Sequence, residues 1–394
     1  MKLGIYGGAF DPPHVGHIRA AAYAAESLQL SKMLLIPTCV SPHKATSSKS
    51  ASGQHRLKML EIAAQQYPRL AISSIELDRG GQSYTYETVS QIKQENKDAE
   101  LILFMGTDMF LSFLEWKNPH IILENASIGV FYRGQKQEIE AIAQQKQVME
   151  EKGATVYLIE NPVTEISSTQ LRRMLRFGCA REYLPQGVEE YIYAQGLYGT
   201  GDSCKGLSME ALEQEVCSLL DPKRIDHVLG CRDTAYELAK IWGADEQDAA
   251  RAGLLHDVTK ALDGPLQLTL CRSYDILLNT FYEKNPKILH AFTGSLVAER
   301  IFGENKAVVS AIASHTTGKP GMNTLEKIIY VADYMEPNRD FPGVEKLRAL
   351  AYTDLDGALE LGLTMTVELL QKQGREVSEE SLQTLLWLKN ERKK

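Results

Sequence analysis

Two groups of residues in this chain have types and spacings suited to chemistry. The first is the opening string GIYGGAFDPPHVGH (4–17), with two imidazoles, His14 and His17, three positions apart. Gly7 and Gly8 follow a short apolar strand pattern, where they let the backbone turn sharply and approach a ligand without a Cβ in the way. Pro12 and Pro13 stiffen the exit. Gly16 and His17 then open the helical pattern HIRAAAYAAESL, whose unpaired N–H groups and positive dipole end form an anion site. The alternative is a tight strand-to-helix turn with two satisfied histidines. The second group is His227, His256, His290 and His315, the only histidines in the second half of the chain, with Asp257 directly after His256 and Asp333 further on. Any one of these alone reads as a core histidine. Together they are a mixed imidazole and carboxylate set that suits Fe, Mn or Zn, and ligands gathered from several helices can hold two metals around an aspartate bridge.

The elements that must carry these residues change character along the chain. At 394 residues, two domains of about 200 residues are expected. Up to about residue 160, strand-like runs (KLGIY, MLLIP, LAISSI, LILFMG, SIGVFY, ATVYLIE) alternate with helical stretches such as TYETVSQIKQEN and QEIEAIAQQKQVMEEK. That order predicts a Rossmann-like parallel sheet covered by helices. The small, polar, Gly-rich stretch YGTGDSCKGLS (198–208) suits a boundary, and after it the patterning is purely helical. The expected organisation is an α/β domain over 1–198, a linker over 199–207 and an all-α domain over 208–394.

Composition excludes several classes. The formal net charge of −8 argues against a duplex nucleic-acid footprint. No apolar run is long enough to cross a bilayer, and no basic-then-apolar leader opens the chain, so a cytoplasmic location is expected. The six cysteines include no CxxC pair and suggest free thiols.

The string GGAFDPPHVGH resembles the motif of the HxGH nucleotidyltransferases, and ISSTQLR (166–172) resembles that superfamily's ISSTxxR element. PHK (42–44), SYTYET (83–88), GTD (106–108) and FLEW (113–116) resemble the nicotinate-mononucleotide adenylyltransferases in particular. The resemblance covers roughly residues 1–198. It implies that ATP and nicotinate mononucleotide are joined with release of pyrophosphate, by positioning and charge stabilisation rather than through a covalent intermediate. His14 and His17 would act on the ATP phosphates, with Ser168, Thr169 and Arg172 on the triphosphate from the opposite side and Mg²⁺ bridging phosphate oxygens. Gly7, Gly8 and Phe10 would line the ATP site, and Lys44 would neutralise incoming phosphate. Asp108 would lie near the ribose, and Thr85 and Trp116 would line the nicotinate pocket, although Trp116 also suits plain core or rim packing. Phosphopantetheine adenylyltransferases share a similar opening motif but fit the remaining strings less well. A class I aminoacyl-tRNA synthetase is disfavoured by the lack of a KMSKS-like loop and of a basic face.

The series from His227 to Asp333 resembles the HD-domain metal phosphohydrolases. LLHDVTK, SHTTGKPGM and IIYVADYMEPNR resemble the branch that cleaves diadenosine tetraphosphate symmetrically into two ADP. The string LHAFTGS departs from the commoner His-Gly pairing at His290. The resemblance implies two divalent metals, iron first and manganese second, held by His227, His256, Asp257, His290, His315 and Asp333. A metal-activated water would attack, and Lys260 and Arg339 would hold the polyphosphate, unless those two cations merely cover a solvated helix face. The alternative for this half is a regulatory or tethering metal module. Neither reading requires a macromolecular partner, and both are compatible with a homo-oligomer.

Overall fold

The computed structural model describes residues 1–39, 50–132, 134, 136–160 and 166–392. It divides into two compact units, Met1–Asp202 and Ser203–Lys394.

The first unit is built on six parallel strands: β1 (Lys2–Gly8), β2 (Lys32–Pro37), β3 (Leu70–Ile72), β4 (Glu100–Gly106), β5 (Ser127–Tyr132) and β6 (Val156–Glu160). Their order is β3-β2-β1-β4-β5-β6. The central strands are near-continuous apolar runs because both faces are covered. Ile5 pairs with Leu34 on one side and Leu103 on the other, and Leu101 to Met105 are all buried. The chain runs outward from β1 through β2 to β3, then returns to the other side of β1 as β4. Such a reversal opens a crevice beyond the carboxyl ends of β1 and β4, where parallel α/β sheets bind ligands.

Two local readings differ from the structure. The LAISSI run forms only a three-residue edge strand, since Ser73 N–H donates to Leu35 O at 3.1 Å and the chain then enters the helix Ile75–Arg79. The sharp turn after β1 is not made at Gly7 and Gly8, which end the strand. It is made at Phe10, whose φ of 47° is held by burial and by edge-on packing against Tyr6 and His17.

The second unit is helical throughout its described residues. The helix Ile225–Trp242 packs on Glu246–Leu255 and Thr324–Met335, and Lys306–Ser314 packs on His290–Val297 and Thr324–Met335. Side-chain caps set where these helices begin. Asp245 accepts from Asp248 N–H, Asn305 from Ala307 and Val308 N–H, and Asn323 forms a reciprocal capping box with Glu326. Among the described residues no helix is long and apolar enough to cross a membrane, and none of the six cysteines forms a disulfide.

Each end of the Gly-rich stretch is bonded within its own unit. Tyr198 is buried, and its hydroxyl donates to Asp11 Oδ1 at 2.7 Å, while Arg251 donates to Leu207 O at 2.9 Å. Residues 1–202 and 203–394 expressed separately should each unfold cooperatively with the transition of their half in the full chain. Tyr198→Phe should destabilise the first piece by about 1.5–3 kcal/mol, the range for a hydrogen bond to a charged group. Denaturant titrations check both expectations; a fragment without a cooperative transition overturns the first.

Candidate active site and metal centre

The crevice at the β1/β4 switch point is a cleft of about 340 Å³. Of the residues singled out in the sequence, Gly7, Gly8, Phe10, His17, Thr85, Trp116 and Ser168 line it. A side chain on Gly7 would meet no protein atom within 4 Å, so the room this glycine leaves belongs to the cleft. Trp116 packs on Phe113 with ring centroids 5.3 Å apart and also lines the cleft. Asp108 lies in the first turn of the helix Thr107–Leu111 and is exposed, outside the lining. Lys44 lies outside the described residues.

His14 and His17 stack with centroids 3.6 Å apart. His14 backbone N–H donates to His17 Nδ1 at 3.3 Å, which leaves Nε2 as the protonated nitrogen of a neutral His17 ring. Burial pushes the His14 imidazole down to about 4, so it is neutral near pH 7 and can act only as a hydrogen-bonding imidazole. His14 Nδ1 is buried and has no hydrogen-bonding partner among the described residues.

Arg172 is on the helix Ser168–Arg176, whose start is capped by Ser167 accepting from Gln170 N–H. Its Nη1 donates to Asp11 O at 2.8 Å and lies 3.4 Å from Asp11 Oδ2, and its Nη2 lies 3.4 Å from Thr169 Oγ1. Asp11 also accepts from Ala51 N–H and Tyr198 Oη, and Arg56 donates to Ala9 O at 2.7 Å. These clamps hold the loop after β1 against the helix that carries Arg172. Asp11, Arg56 and Tyr198 were not singled out in the sequence; the first lies in plain view within GGAFDPPH.

In the second unit the expected ligands converge. His227 Nε2 and His256 Nε2 lie 3.6 and 3.5 Å from Asp257 Oδ2. His290 Nε2 and His315 Nε2 lie 3.3 and 4.0 Å from Asp257 Oδ1. Asp333 Oδ1 stands 3.2 Å from His227 Nε2 and 3.8 Å from His256 Nε2. One aspartate thus presents one oxygen to each of two histidine pairs, with Asp333 completing the first. His290 takes its place in the second pair despite its unusual Ala neighbour.

The opposite ring nitrogens are all engaged. Nδ1 of His256, His290 and His315 donates to Gly253 O, Lys287 O and Ile312 O at 2.7, 2.8 and 2.7 Å, and Nδ1 of His227 donates to Glu336 Oε1 at 3.1 Å. Burial lowers the pKa of His256 and His290 well below the ordinary value and that of His315 to about 4, which keeps these rings neutral. Neutral imidazoles with Nδ1–H fixed and Nε2 turned toward carboxylates are the form that ligates a metal. Packing acceptor atoms this closely in a buried site fits a cation between them.

Three cations face the same ligands. Lys260 Nζ is 2.9 Å from His290 Nε2, Arg339 donates to Asp333 Oδ1 at 2.6 Å, and the Arg224 guanidinium lies against Asp257 Oδ2. Lys260, lowered to about 8 by burial, and Arg339 are partly exposed, with their charged groups turned to the cluster. Arg224 escaped the sequence reading. Its only signal is its place one helical turn before His227.

The fold and the two sites define a nucleotidyltransferase-type α/β domain joined to an HD-type helical domain. Family models agree: the Cytidylyltransferase-like family matches residues 5–174 and the HD domain family residues 224–338. The "Probable nicotinate-nucleotide adenylyltransferase" of Dictyoglomus thermophilum is 36% identical over 199 residues, 50% of this chain and 100% of that protein. The "Bis(5'-nucleosyl)-tetraphosphatase, symmetrical" of Halalkalibacterium halodurans is 44% identical over 170 residues, 42% of this chain and 88% of that protein. A Mycoplasma pneumoniae protein, "Probable nicotinate-nucleotide adenylyltransferase/Ap4A hydrolase", is 28% identical over 336 residues, 85% of this chain and 88% of its own length. The chain is an enzyme that belongs both to the nicotinate-nucleotide adenylyltransferase family and to the HD-type symmetrical bis(5′-nucleosyl)-tetraphosphatase family.

Two measurements check these geometries. His14 should show no NMR titration between pH 5.5 and 8, with its midpoint at about 4; a midpoint above 6 would remove the burial argument. Asp257→Ala removes the carboxylate shared by both histidine pairs, so bound metal per chain should fall, as counted by elemental analysis after gel filtration. A folded variant with undiminished metal rules out the bridge.

Proposed function

We propose that the first domain transfers AMP from ATP to nicotinate mononucleotide, giving deamido-NAD and pyrophosphate, and that the second hydrolyses diadenosine tetraphosphate to two ADP. The observation that carries the first half is the cleft at the β1/β4 switch point, lined by Gly7, Gly8 and His17 together with Ser168 at a helix start. In this reading a phosphate oxygen of the mononucleotide attacks the α-phosphorus of ATP as the α–β bridging bond breaks. The nucleophile is already an anion, so no general base is required, and ATP enters as its Mg²⁺ complex. His17 donates through Nε2–H, His14, stacked on it, is assigned to the phosphates as a neutral imidazole, and Arg172 takes charge developing on pyrophosphate. Asp11 keeps Arg172 aimed, Thr85 and Trp116 receive the nicotinate ring, and Asp108 and Lys44 are assigned to the ribose and incoming phosphate.

The observation that carries the second half is the split of the Asp257 carboxylate between two histidine pairs. The donor set fits two divalent metals, iron first and manganese second, held by His227, His256 and Asp333 on one side, His290 and His315 on the other, and Asp257 between. When bound, they supply Lewis acidity toward phosphate oxygens and activate a water. Arg224, Lys260 and Arg339 bind the remaining phosphate charge and set the scissile bond, between the second and third phosphorus atoms, over the cluster.

Product analysis tests both halves. ATP with nicotinate mononucleotide should yield deamido-NAD and pyrophosphate, at a higher kcat/KM than with nicotinamide mononucleotide. Diadenosine tetraphosphate with Fe²⁺ or Mn²⁺ should yield ADP alone; ATP plus AMP overturns the symmetrical cleavage, and no hydrolysis by metal-loaded protein assigns the domain to regulation. His17→Ala and Arg172→Ala should each lower the transferase kcat by about 100-fold or more with little change in KM. A raised KM at unchanged kcat would move both residues from transition-state to ground-state binding.

A further inference from the structure

Three of the four cluster histidines are oriented by backbone carbonyls; the fourth is oriented by a carboxylate. Glu336 is 1% exposed, and its Oε1 accepts from His227 Nδ1 at 3.1 Å. Its Oε2 accepts from Asn338 N–H at 2.7 Å and Asn338 Nδ2 at 2.9 Å. A second observation concerns the room it occupies. On the helix that carries His227, one turn further on, a Cβ at Gly230 would fall 2.4 Å from Glu336 Oε2 and 3.2 Å from Asn338 Nδ2. The ligand's own helix therefore keeps a side chain away from the carboxylate that orients the ligand, although glycine inside a helix costs about 1 kcal/mol relative to alanine.

The geometry points to Glu336 as a positioning residue that sets the affinity of one of the two metal positions, the one formed by His227, His256 and Asp333, and leaves the His290/His315 position without a carboxylate orienter. The inference rests on the metal reading of the cluster. The physical cause is the charge of the orienter. A carboxylate on Nδ1–H makes the imidazole a more basic ligand and fixes its tautomer, whereas a carbonyl does the second and less of the first. Glu336 touches no reacting atom; it acts through His227.

Glu336→Gln is nearly isosteric and gives a sharp test. Asn338 offers two N–H donors to one side of the residue, so the glutamine oxygen turns that way and its NH₂ faces His227 Nδ1. That makes Nδ1 an acceptor and moves the ring proton to Nε2, the metal-facing atom. In full-length protein loaded with Mn²⁺, the variant should lose affinity at one position by about 10- to 100-fold and keep the other. The readouts are Mn²⁺ per chain after gel filtration, falling from two to one, and loss of the exchange-coupled two-Mn²⁺ EPR signal in favour of a single-ion signal. Gly230→Ala keeps every polar group and displaces Glu336 by contact, so it should give the same selective loss and decides the matter if the glutamine variant does not fold. Two Mn²⁺ held at wild-type affinity in the folded variants overturns the proposal. Equal loss at both positions also overturns it, since that assigns Glu336 to packing of the whole site. A wild-type chain that binds no Mn²⁺, Fe²⁺ or Zn²⁺ refutes the metal reading itself and the inference with it.

Discussion

The helical domain depends on one electrostatic requirement: four imidazoles, His227, His256, His290 and His315, are buried together around the two oxygens of Asp257, with the partly exposed Asp333 at their edge. A group of imidazole nitrogens and carboxylate oxygens at such separations is costly in a low-dielectric interior unless each ring is neutral, its other nitrogen is satisfied and a cation stands among them. The helix ends follow from that requirement. His256 follows the last residue of Glu246–Leu255, His315 follows Lys306–Ser314, and His290 opens His290–Val297, so each sits where backbone carbonyls at or near a helix terminus can accept from Nδ1–H. His227 lies in the first turn of its helix, three residues from the start, and uses a side-chain carboxylate in place of a carbonyl.

The α/β domain solves a comparable problem with different parts. Its loop after β1 must hold an irregular backbone, with Phe10 in the left-handed region, against a cleft that is open to solvent on one side. Asp11 does this by accepting from three directions: Ala51 N–H, Tyr198 Oη and Arg172. Burial beside that carboxylate pushes the Tyr198 phenol far above its ordinary value, so it remains a donor at any physiological pH. The end of the unit, a helix beyond the sheet and the loop after the first strand are thereby joined at a single carboxylate.

What the sequence disclosed follows from the range of its signals. Alternating strand and helix patterns are local, and they announced the parallel sheet and the change to helices. The six metal-ligand candidates were legible because histidines are few and HD is a contiguous pair. Asp11, Arg224, Glu336 and Tyr198 were not legible, since each acts through a contact between residues 33 to 187 positions apart. Arg224 and Asp257 mark the near end of that range and Tyr198 and Asp11 the far end, and no periodicity connects such pairs. The turn expected at the glycines of GGAFDPPH was misplaced for a related reason. It is made at Phe10, packed against Tyr6 and His17, while the open approach also expected of these glycines is found at Gly7, where a Cβ would meet no protein atom within 4 Å.

Charge bears on how an acidic chain could host the two proposed phosphate sites. The net charge of −8 repels such ligands at long range, yet screening confines that repulsion to about 8 Å at physiological ionic strength. Within that distance lie Arg172 in one domain, and Arg224, Lys260 and Arg339 in the other. Each of these cations is held by an acceptor of its own site: Asp11, Asp257, His290 or Asp333. The acceptors reduce the net charge available, but they also fix where each donor points before a phosphate arrives. Where charge develops during reaction, swinging a free donor into place costs more than the partial neutralisation of one already aimed. That balance favours paired cations in both domains over a basic surface.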